Sequence, residues 1–479
     1  MTDAPVSRRA ETDHRLGFRT LGRELTGEPL TVRGSFPGWL AGDLLRTGPA
    51  RFEVGEHRYR HWFDGLAMLH RFAFAGGEVR YWNRYVDSPA YRSARDTGRI
   101  AYSEFATDPC RSLFRRLVSA FRPPSFGDNA NVNVLRFGEE FLAMSETPLP
   151  VVFDPDTLGT LGVAAAAPGQ LTVAHPHLSP ATGELVSYAT HFGPSTRYRI
   201  YTRAAGATEP RVIATLPAPR PAYMHSFAIT ERYVVLVEFP FVAVPAAIPL
   251  SGRPFIENYR WKPKRGTTFR VVELATGREL KSYRAAPFFA FHHVNAFEQD
   301  GELVVDLCAY DDVEVVRALY MERLLSARPR VPGARLHRYA LPLDGGDTVR
   351  AERLGAVGVE LPRIDYARRN GRPYRYVYGV GARNDGDFPN QIVKVDVARG
   401  DATVWWQPDS YPGEPVFVRT PGNEREDGGV LLSVVLDPAA GASFLLVLDA
   451  TNMAELARAL VPHSVPFGFH GTYIPTQMS

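Results

Sequence analysis

Short apolar runs of strand length, separated by turn residues, constrain the fold of this chain more than any other feature of its sequence. The runs are rich in Val, Ile, Tyr and Phe, and 41 glycines and 39 prolines are spread among the 479 residues. Strands bounded by turn residues at short intervals are typical of all-β proteins, so we predict an all-β fold. The clearest runs read ELVSYAT, RYRIYTR, RYVVLVEF, TTFRVVEL, ELVVDLCAY, QIVKVDV and SFLLVLDA.

A degenerate turn recurs between these runs, with an acidic or hydroxyl residue at its start and Gly or Asn near its end. This chemistry is a hairpin signal, because Gly and Asn tolerate positive φ angles. Repeated hairpins with irregular spacing favour a propeller whose blades carry large insertions, while a β-sandwich with many loops is the alternative. The five copies of the turn begin at Asp154, Ser179, Glu273, Asp396 and Asp449.

A closed all-β architecture can accommodate a chain of this length in one unit, so the sequence predicts a single domain over residues 1–479. Residues 1–17 are polar and of mixed charge, and we expect them to be flexible. Helical patterning is scarce. We predict one helix within residues 108–121, where apolar residues follow one helix face, and a second over residues 316–327.

Composition excludes several classes of protein. The formal net charge is only +3 and no Lys/Arg tract is visible, which argues against a nucleic acid partner. The two cysteines, Cys110 and Cys308, are too far apart to indicate a disulfide framework or a zinc ribbon. No apolar signal segment is visible at the N-terminus, which favours a cytoplasmic protein. Residues 233–250 are apolar but contain Glu238 and three prolines, so they predict a strand and an apolar loop rather than a membrane span.

Four of the 13 histidines lie beside strand-like or small residues, in VAHPH, YMHSFAIT, FFAFHHVNAF and PFGFHGTY. Their separations are too wide for one local metal motif, but the inner strands of a propeller all point at one axis. Adjacent strand residues face opposite sides, so His292 and His293 cannot both face that axis, whereas His175 and His177 could. The pattern leaves the choice within each pair open, and adds His225 and His470 to the candidate ligands.

Four histidines would suit a particular metal chemistry. Neutral imidazoles suit Fe(II), among other metals. They leave the 2+ charge uncompensated, so nearby carboxylates are expected to accept hydrogen bonds from the outer ring N–H groups. Glu146, Glu360 and Glu414 lie beside apolar residues and prolines and are candidates, although each could also be a surface or turn carboxylate.

At these residues the sequence resembles the carotenoid cleavage oxygenase family, and within it the animal-type branch of β-carotene oxygenases and the retinal pigment epithelium isomerase. The resemblance covers nearly the whole chain. The blocks that carry it, in order, are GSFPGWLAGDLLRTGPARFE, YRHWFDGLAMLHRF, NANVNV, SETP, AHPH, MHSFAIT, FHHVNAFE, ELPRIDY, RPYRYVYGVG, YPGEPVFV and PFGFHG.

The resemblance implies a fold and a metal centre. The family fold is a seven-bladed β-propeller with a helical and loop cap over the iron-bearing face. The residues that match the family's Fe(2+) ligands are His175, His225, His292 and His470. The residues that match its carboxylates, which hydrogen-bond those ligands, are Glu146, Glu360 and Glu414.

The resemblance also implies a reaction, in which O2 cleaves a conjugated C=C bond of a carotenoid or apocarotenoid into aldehyde or ketone products, retinal among them. A lipophilic polyene substrate calls for an apolar, aromatic cavity. The candidates for its lining, each of which could equally be plain core, are Phe63, Phe105, Thr147 and Phe291.

The segment DPCRSLFRRLVSAF resembles the isomerase's membrane-binding segment. It has an amphipathic pattern with a basic flank, which suits an anionic membrane surface, and the loop over residues 239–250 could dock beside it. The alternative is that both segments pack on the cap. The residues expected to contact a membrane are Cys110, Leu113, Phe114, Leu117 and Phe121.

Three other functions compete with the carotenoid dioxygenase. A stilbene-cleaving relative would need a lysine near the phenol, and the first lysine of this chain is Lys262, which weighs against it. A retinyl-ester isomerohydrolase would share the same metal site. A non-catalytic propeller that binds partners would hold no iron.

Overall fold

The computed structural model describes residues 13–108, 127–193 and 195–476, and these form seven antiparallel sheets of four to six strands. The sheets follow one another along the chain and are the blades of a seven-bladed β-propeller. The all-β prediction is therefore confirmed, and the β-sandwich alternative is wrong. We number the blades 1 to 7 in chain order.

The first four blades contain four or five strands each. Blade 1 contains Leu25–Pro29, Gly42–Arg51, Leu66–Ala75, Glu78–Tyr85 and Gly471–Pro475; blade 2 contains Asn133–Phe137, Glu140–Met144, Val151–Phe153 and Thr160–Val163. Blade 3 contains Leu171–Thr172, His177–Leu178, Leu185–His191, Arg197–Arg203 and Arg211–Pro217; blade 4 contains Ala228–Ile229, Tyr233–Glu238, Thr267–Glu273 and Glu279–Ala285.

The second half of the ring is built in the same way. Blade 5 contains Phe289–Gln299, Glu302–Tyr310, Arg335–Pro342 and Arg350–Gly358; blade 6 contains Glu360–Arg363, Tyr376–Gly381, Gln391–Asp396 and Asp401–Trp406. Blade 7 contains Thr31–Gly34, Tyr411–Pro412, Val416–Arg419, Gly429–Asp437, Ala442–Asp449 and Glu455–Leu460. Two short ribbons pair Glu53–Val54 with His57–Arg58 and Phe241–Val242 with Arg260–Trp261.

Both ends of the described chain close the ring. The early strand Thr31–Gly34 pairs with Glu455–Leu460 at the outer edge of blade 7. The last strand, Gly471–Pro475, pairs with Gly42–Arg51 as the innermost strand of blade 1. Each terminal strand therefore covers an edge that would otherwise carry unpaired backbone groups.

The recurrent turn has the same backbone in all five copies. In each copy the amide of the fifth residue donates to the carbonyl of the first, and the fifth residue has a positive φ. Glycine fills that fifth position in three copies, as its tolerance of positive φ predicts. In the other two copies the sequence favours Gly159 and Asn452, whereas the left-handed residues are Leu158 (φ 57°) and Met453 (φ 65°). The position in the turn fixes the conformation even where the residue type does not favour it.

The helices are few and short. The predicted helix over residues 316–327 is two helices, Glu314–Ala318 and Met321–Leu324, because Tyr320 is extended and bridges to His61. Of the predicted helix within residues 108–121, all but the first residue lies outside the described residues. The remaining helical segments are His14–Phe18, Trp62–Asp64, Pro89–Thr97, Pro245–Ala247, Ile248–Ser251, Phe255–Asn258, Pro263–Arg265 and Tyr366–Arg369. No helix among the described residues combines the length and the apolar character needed to cross a bilayer.

Long loops from blades 1, 4 and 5 pack against one another at one end of the ring and form the expected cap. The amide of Ile256 donates to the carbonyl of Phe105 at 3.0 Å, and the amide of Met321 donates to the carbonyl of Arg60 at 2.8 Å. The amide of Trp62 donates to the carbonyl of Leu319 at 3.1 Å. The cap is thus joined by backbone hydrogen bonds between loops far apart in sequence.

Of residues 1–17, which we expect to be flexible, the structure describes residues 13–17. His14, Leu16, Gly17 and Phe18 are buried. The Phe18 ring packs 5.5 Å from Trp62 and 5.2 Å from Phe467, and the amide of Phe467 donates to the carbonyl of Gly17. Apolar contacts of this kind hold the segment against the cap.

Two buried histidines make the stability of the fold depend on pH. Burial lowers the pKa of His61 and of His70 to about 3, against 6.5 for an exposed ring. In the unfolded chain these rings bind protons near pH 6.5, whereas in the folded protein they stay neutral down to about pH 3. Their contribution to stability is therefore complete above pH 6.5 and is lost as the pH falls toward 3. We expect the free energy of unfolding in urea to decrease between about pH 7 and about pH 4. An unchanged free energy over this range would contradict the prediction, and His70→Gln should flatten the dependence.

Candidate metal centre

Four of the seven blades each bring one histidine to the axis. His175 lies between the two short inner strands of blade 3, and His225 just precedes the inner strand of blade 4. His292 lies within the inner strand of blade 5, and His470 immediately precedes the inner strand of blade 1. One nitrogen from each ring lies within 4.8 Å of the others, and the site is largely buried. The structure thus brings together all four histidines that the sequence singled out.

The structure also separates the two ambiguous pairs. His177 is turned away from the cluster, since its Nδ1 lies 3.0 Å from the Tyr366 hydroxyl and its Nε2 lies 3.0 Å from the Phe227 carbonyl oxygen. The Nδ1 of His293 lies 2.8 Å from the Ser226 hydroxyl. The inner strand of blade 5 is irregular on both sides of His293, so strand alternation alone would not have predicted the register.

The other three blades bring one carboxylate each, and each carboxylate contacts one histidine of the cluster. The Nδ1 of His225 lies 2.7 Å from Glu146, that of His292 lies 2.5 Å from Glu360, and that of His470 lies 2.7 Å from Glu414. A proton on Nδ1 donates to the carboxylate and leaves Nε2 as the free lone pair that faces the cluster. The seven blades therefore supply one polar residue each, four histidines and three glutamates.

The carboxylates have further partners that sequence reasoning missed. The hydroxyl of Tyr223 donates to Glu146 at 2.7 Å, and that of Tyr310 donates to Glu360 at 2.8 Å. Glu414 instead accepts the Gly471 amide at 2.9 Å and forms an ion pair with Arg363. Tyr223 could have been found, since it stands two residues before His225 on the same segment. Nothing local to the sequence links Tyr310 or Arg363 to the site.

Burial and mutual repulsion keep the cluster ready for a metal. Burial, followed by the neighbouring histidines, holds the pKa of His175 and of His470 well below the ordinary range. Burial acts to raise the pKa of Glu360, but His292 and hydrogen bonds outweigh it, and the net pKa is lowered. Neutral rings beside an ionised carboxylate are the protonation states that a divalent metal requires of its ligands.

The spacing of the ring nitrogens fits a metal ion at the axis. The Nε2 atoms of His175 and His225 are 3.2 Å apart, and those of His292 and His470 are 3.1 Å apart. Two ring nitrogens bound at right angles, each about 2.1 Å from a metal, would lie about 3.0 Å apart. An all-imidazole donor set with carboxylates on the outer nitrogens suits a first-row transition metal.

Aromatic side chains line one side of the cluster. The ring of Phe63 lies 5.9 Å from that of His225, and the ring of Phe291 lies 5.4 Å from it. Phe105 lies one layer further out, 5.2 Å from Phe63, while Thr147 adjoins Glu146 in sequence and lies 3.0 Å from Ser145. Phe469, 5.0 Å from Phe63, belongs to the same wall and was missed, although it directly precedes His470.

The predicted membrane segment cannot be placed, since Cys110, Leu113, Phe114, Leu117 and Phe121 lie outside the described residues. The neighbouring loop over residues 239–250 divides into two parts. Phe239 and Phe241 are buried in the core, as the cap-packing alternative expects. Val244 is 56% exposed, at the start of a short apolar helical segment.

Comparisons with known proteins agree with this geometry. The family model described as "Retinal pigment epithelial membrane protein" matches residues 18–475. The carotenoid isomerooxygenase of Galleria mellonella is 36% identical over 505 residues, 97% of each chain. The β,β-carotene 15,15'-dioxygenase of Rattus norvegicus is 34% identical over 510 residues, 94% of this chain and 89% of its own. The cobalt-substituted apocarotenoid oxygenase of Synechocystis superposes with a TM-score of 0.87 at 26% identity, covering 97% of this chain and 98% of its own.

A propeller with four axial histidines, matched along nearly its whole length by oxygenases, defines the class of this protein. The chain belongs to the retinal pigment epithelial membrane protein family of carotenoid oxygenases. The family predicted from the sequence is therefore confirmed.

Proposed function

We propose that this protein is an Fe(2+)-dependent dioxygenase that cleaves a conjugated C=C bond of a carotenoid or apocarotenoid with O2. The observation that carries the proposal is the cluster of four histidines with three carboxylates on its outer nitrogens, in a chain whose relatives are named carotenoid-cleaving oxygenases. His175, His225, His292 and His470 would hold the metal. Glu146, Glu360 and Glu414 would orient three of them.

The reaction balances without a further reductant. One C=C bond and one O2 molecule give two carbonyl groups, so both oxygen atoms end in the aldehyde or ketone products. Bound iron would supply the activation of O2 beside the polyene. The cluster holds no carboxylate among the residues that the structure describes, so an anionic ligand from these residues would not compete for the metal's charge.

The side chains of this chain would position the substrate and keep water out. Phe63 and Phe291 lie against the His225 ring, where their faces can stack on a conjugated chain. Phe105 would extend this wall toward the cap, because its carbonyl accepts the Ile256 amide there, and Thr147 would contribute beside Glu146. Buried neutral histidines beside an apolar wall leave few polar partners for solvent, which protects reactive species from hydrolysis.

The substrate partitions into lipid, so we propose that the cap contacts a membrane peripherally through the exposed residues near Val244. Apolar side chains that protrude at a cap gain free energy when they enter the acyl boundary of a bilayer. Sedimentation with lipid vesicles checks this contact. Val244→Asp should reduce the bound fraction severalfold, and equal binding of the variant and the unchanged protein would exclude it.

The test of the proposed function begins with anaerobic purification and measurement of iron. We expect about one iron per chain and, on addition of O2, loss of polyene absorbance from β-carotene or an apocarotenal with formation of aldehydes. Resveratrol and a retinyl ester are the comparison substrates. Turnover of resveratrol alone would indicate a stilbene-cleaving enzyme, and conversion of the ester without O2 would indicate an isomerohydrolase. A protein without iron would indicate a binding propeller.

A further inference from the structure

One buried hydroxyl lies between the segments that carry the cluster histidines of blades 4 and 5. It belongs to Ser226, which directly follows His225 and precedes the inner strand Ala228–Ile229 of blade 4. Ser226 is only 4% exposed, and its hydroxyl bonds the inner strand of blade 5 on both sides of His292. The hydroxyl therefore joins the segment of one candidate metal ligand to the segment of the next.

The inner strand of blade 5 carries an extra residue on each side of His293. Between the pair Ala290–Ala309 and the pair His293–Leu307, three steps along the inner strand match two steps along its neighbour. A second extra residue follows before Asn295. Extra residues of this kind disrupt the ladder of backbone hydrogen bonds and redirect side chains. The ladder alone therefore does not fix the backbone at this point of the strand.

Ser226 bonds the two peptide groups that flank His292. Its hydroxyl donates to the carbonyl of Phe291 at 2.6 Å and accepts from the amide of His293 at 3.0 Å. These two bonds hold the backbone just before and just after His292, so they set the direction in which its ring leaves the strand. A side chain of blade 4 thus supplies the restraint that the irregular ladder of blade 5 lacks.

The same hydroxyl also holds the ring of His293, whose Nδ1 lies 2.8 Å from it. A hydroxyl has one proton to donate and two lone pairs that accept. Its proton goes to the carbonyl of Phe291 and one lone pair accepts the His293 amide, so the third bond is donated by the Nδ1–H of His293. Three bonds fill the capacity of the Ser226 hydroxyl, and its removal would release all three together.

His293 has the chemistry of a metal ligand but points in another direction. With the proton on Nδ1, its Nε2 carries a lone pair, and this buried atom has no hydrogen-bond partner among the described residues. His292 has the same proton arrangement, because its Nδ1 donates to Glu360. Two adjacent rings can therefore offer Nε2 to a metal, and their directions alone distinguish them.

We infer that Ser226 is the positioning residue that makes His292, and not His293, the metal ligand of blade 5, an inference that rests on the proposed function only in that the cluster holds a metal. Ser226 contacts neither the cluster nor a substrate. It acts through the backbone on both sides of His292 and through the ring of His293. The side chain that chooses within this pair of histidines thus lies in the preceding blade.

Metal binding by the full-length protein tests the inference without turnover. Co(2+) is the probe, because its d–d absorption depends on the number and arrangement of its ligands, and competition with a chelator gives its affinity. Ser226→Ala should weaken Co(2+) binding about 10–100-fold, as expected when a group that orients a ligand is lost. Its d–d spectrum should also change, since the imidazole of blade 5 is no longer held in one direction. A hydroxyl that served stability alone would leave that spectrum unchanged.

Two further variants separate positioning from stability. Ser226→Thr keeps the hydroxyl and should restore most of the affinity and the spectrum. Ser443→Ala is the matched control, because Ser443 is a buried serine of blade 7 whose hydroxyl accepts the Val465 amide at 2.9 Å. It should lower the melting temperature but bind Co(2+) within about twofold of the unchanged protein.

Unchanged affinity and spectrum in Ser226→Ala would overturn the inference, as would equal weakening in Ser443→Ala. If Ser226→Ala does not fold, Ser226→Cys decides in the same way, because a thiol occupies the same place but donates and accepts only weakly. An unchanged protein that binds no metal would refute both the proposed function and the role of Ser226. Metal binding without cleavage of any polyene would refute the proposed function alone.

Discussion

Replacement of His225 by alanine is expected to remove the bound metal and, with it, all cleavage activity. The Nε2 of His225 lies 3.2 Å from that of His175, inside the cluster, and its loss leaves only three donors around the axis. The substitution also removes the imidazole N–H from which Glu146 accepts a hydrogen bond, at 2.7 Å from His225 Nδ1. Metal content per chain after anaerobic reconstitution, measured by mass spectrometry, should fall from about one to near zero.

His177 supplies the matched control, because it belongs to the same blade as His175 but does not face a metal at the axis. Both of its ring nitrogens already contact other groups, the Tyr366 hydroxyl and the Phe227 carbonyl. His177→Ala should therefore retain the metal, even if it lowers the melting temperature. Stoichiometric metal and activity in His225→Ala, or loss of metal in His177→Ala alone, would show that the ligand assignment is wrong.

Glu414→Ala is expected to cause the largest loss of stability of any single change at the site. Glu414 is fully buried and contacts the His470 ring, the Gly471 amide and Arg363. Its removal also leaves Arg46, 3.8 Å away and almost completely buried, without its countercharge. Breaking a buried pair in this way costs about 3–5 kcal/mol of the free energy of unfolding. Loss of the carboxylate should also weaken metal binding by about 10–100-fold.

Urea denaturation and competition with a chelator measure the two effects separately. Glu424→Ala is the control, because Glu424 is an exposed carboxylate (85% accessible) that also pairs with an arginine, Arg368. Surface pairs contribute about 0–1 kcal/mol, so this variant should be nearly as stable as the unchanged protein. If Glu414→Ala and Glu424→Ala unfolded alike, the ion pairs of Glu414 would not contribute to stability as described.

Much of the fold could be predicted because its signals are local. Strand-length apolar runs and a repeated turn are legible within a few residues, and every one of the seven quoted runs contains a strand of a blade. The helix over residues 316–327 was predicted as continuous, since nothing nearby in sequence reveals that Tyr320 bridges to His61. The order of the residues does not show contacts made by distant loops.

The metal site was predictable only in part for the same reason. Residue pattern indicated four positions, two of them ambiguous, and the resemblance to a known family chose within each pair. The structure places the chosen histidines together, but the irregular strand around His293 could not be inferred from alternation. Tyr310 and Arg363 come from strands whose neighbours are set by the closed ring, so no local pattern pointed to them.

The closure of blade 1 by the last strand governs when the protein can become active during synthesis. The ribosome adds the strands of blades 2 to 6 before it reaches Glu414, and His470 is added 56 residues after Glu414. A nascent chain can therefore assemble most of the ring while its site still lacks one ligand. A product that stops short of residue 470 leaves blade 1 without its innermost strand and the axis with three histidines, so premature termination yields neither a closed ring nor a complete metal cluster.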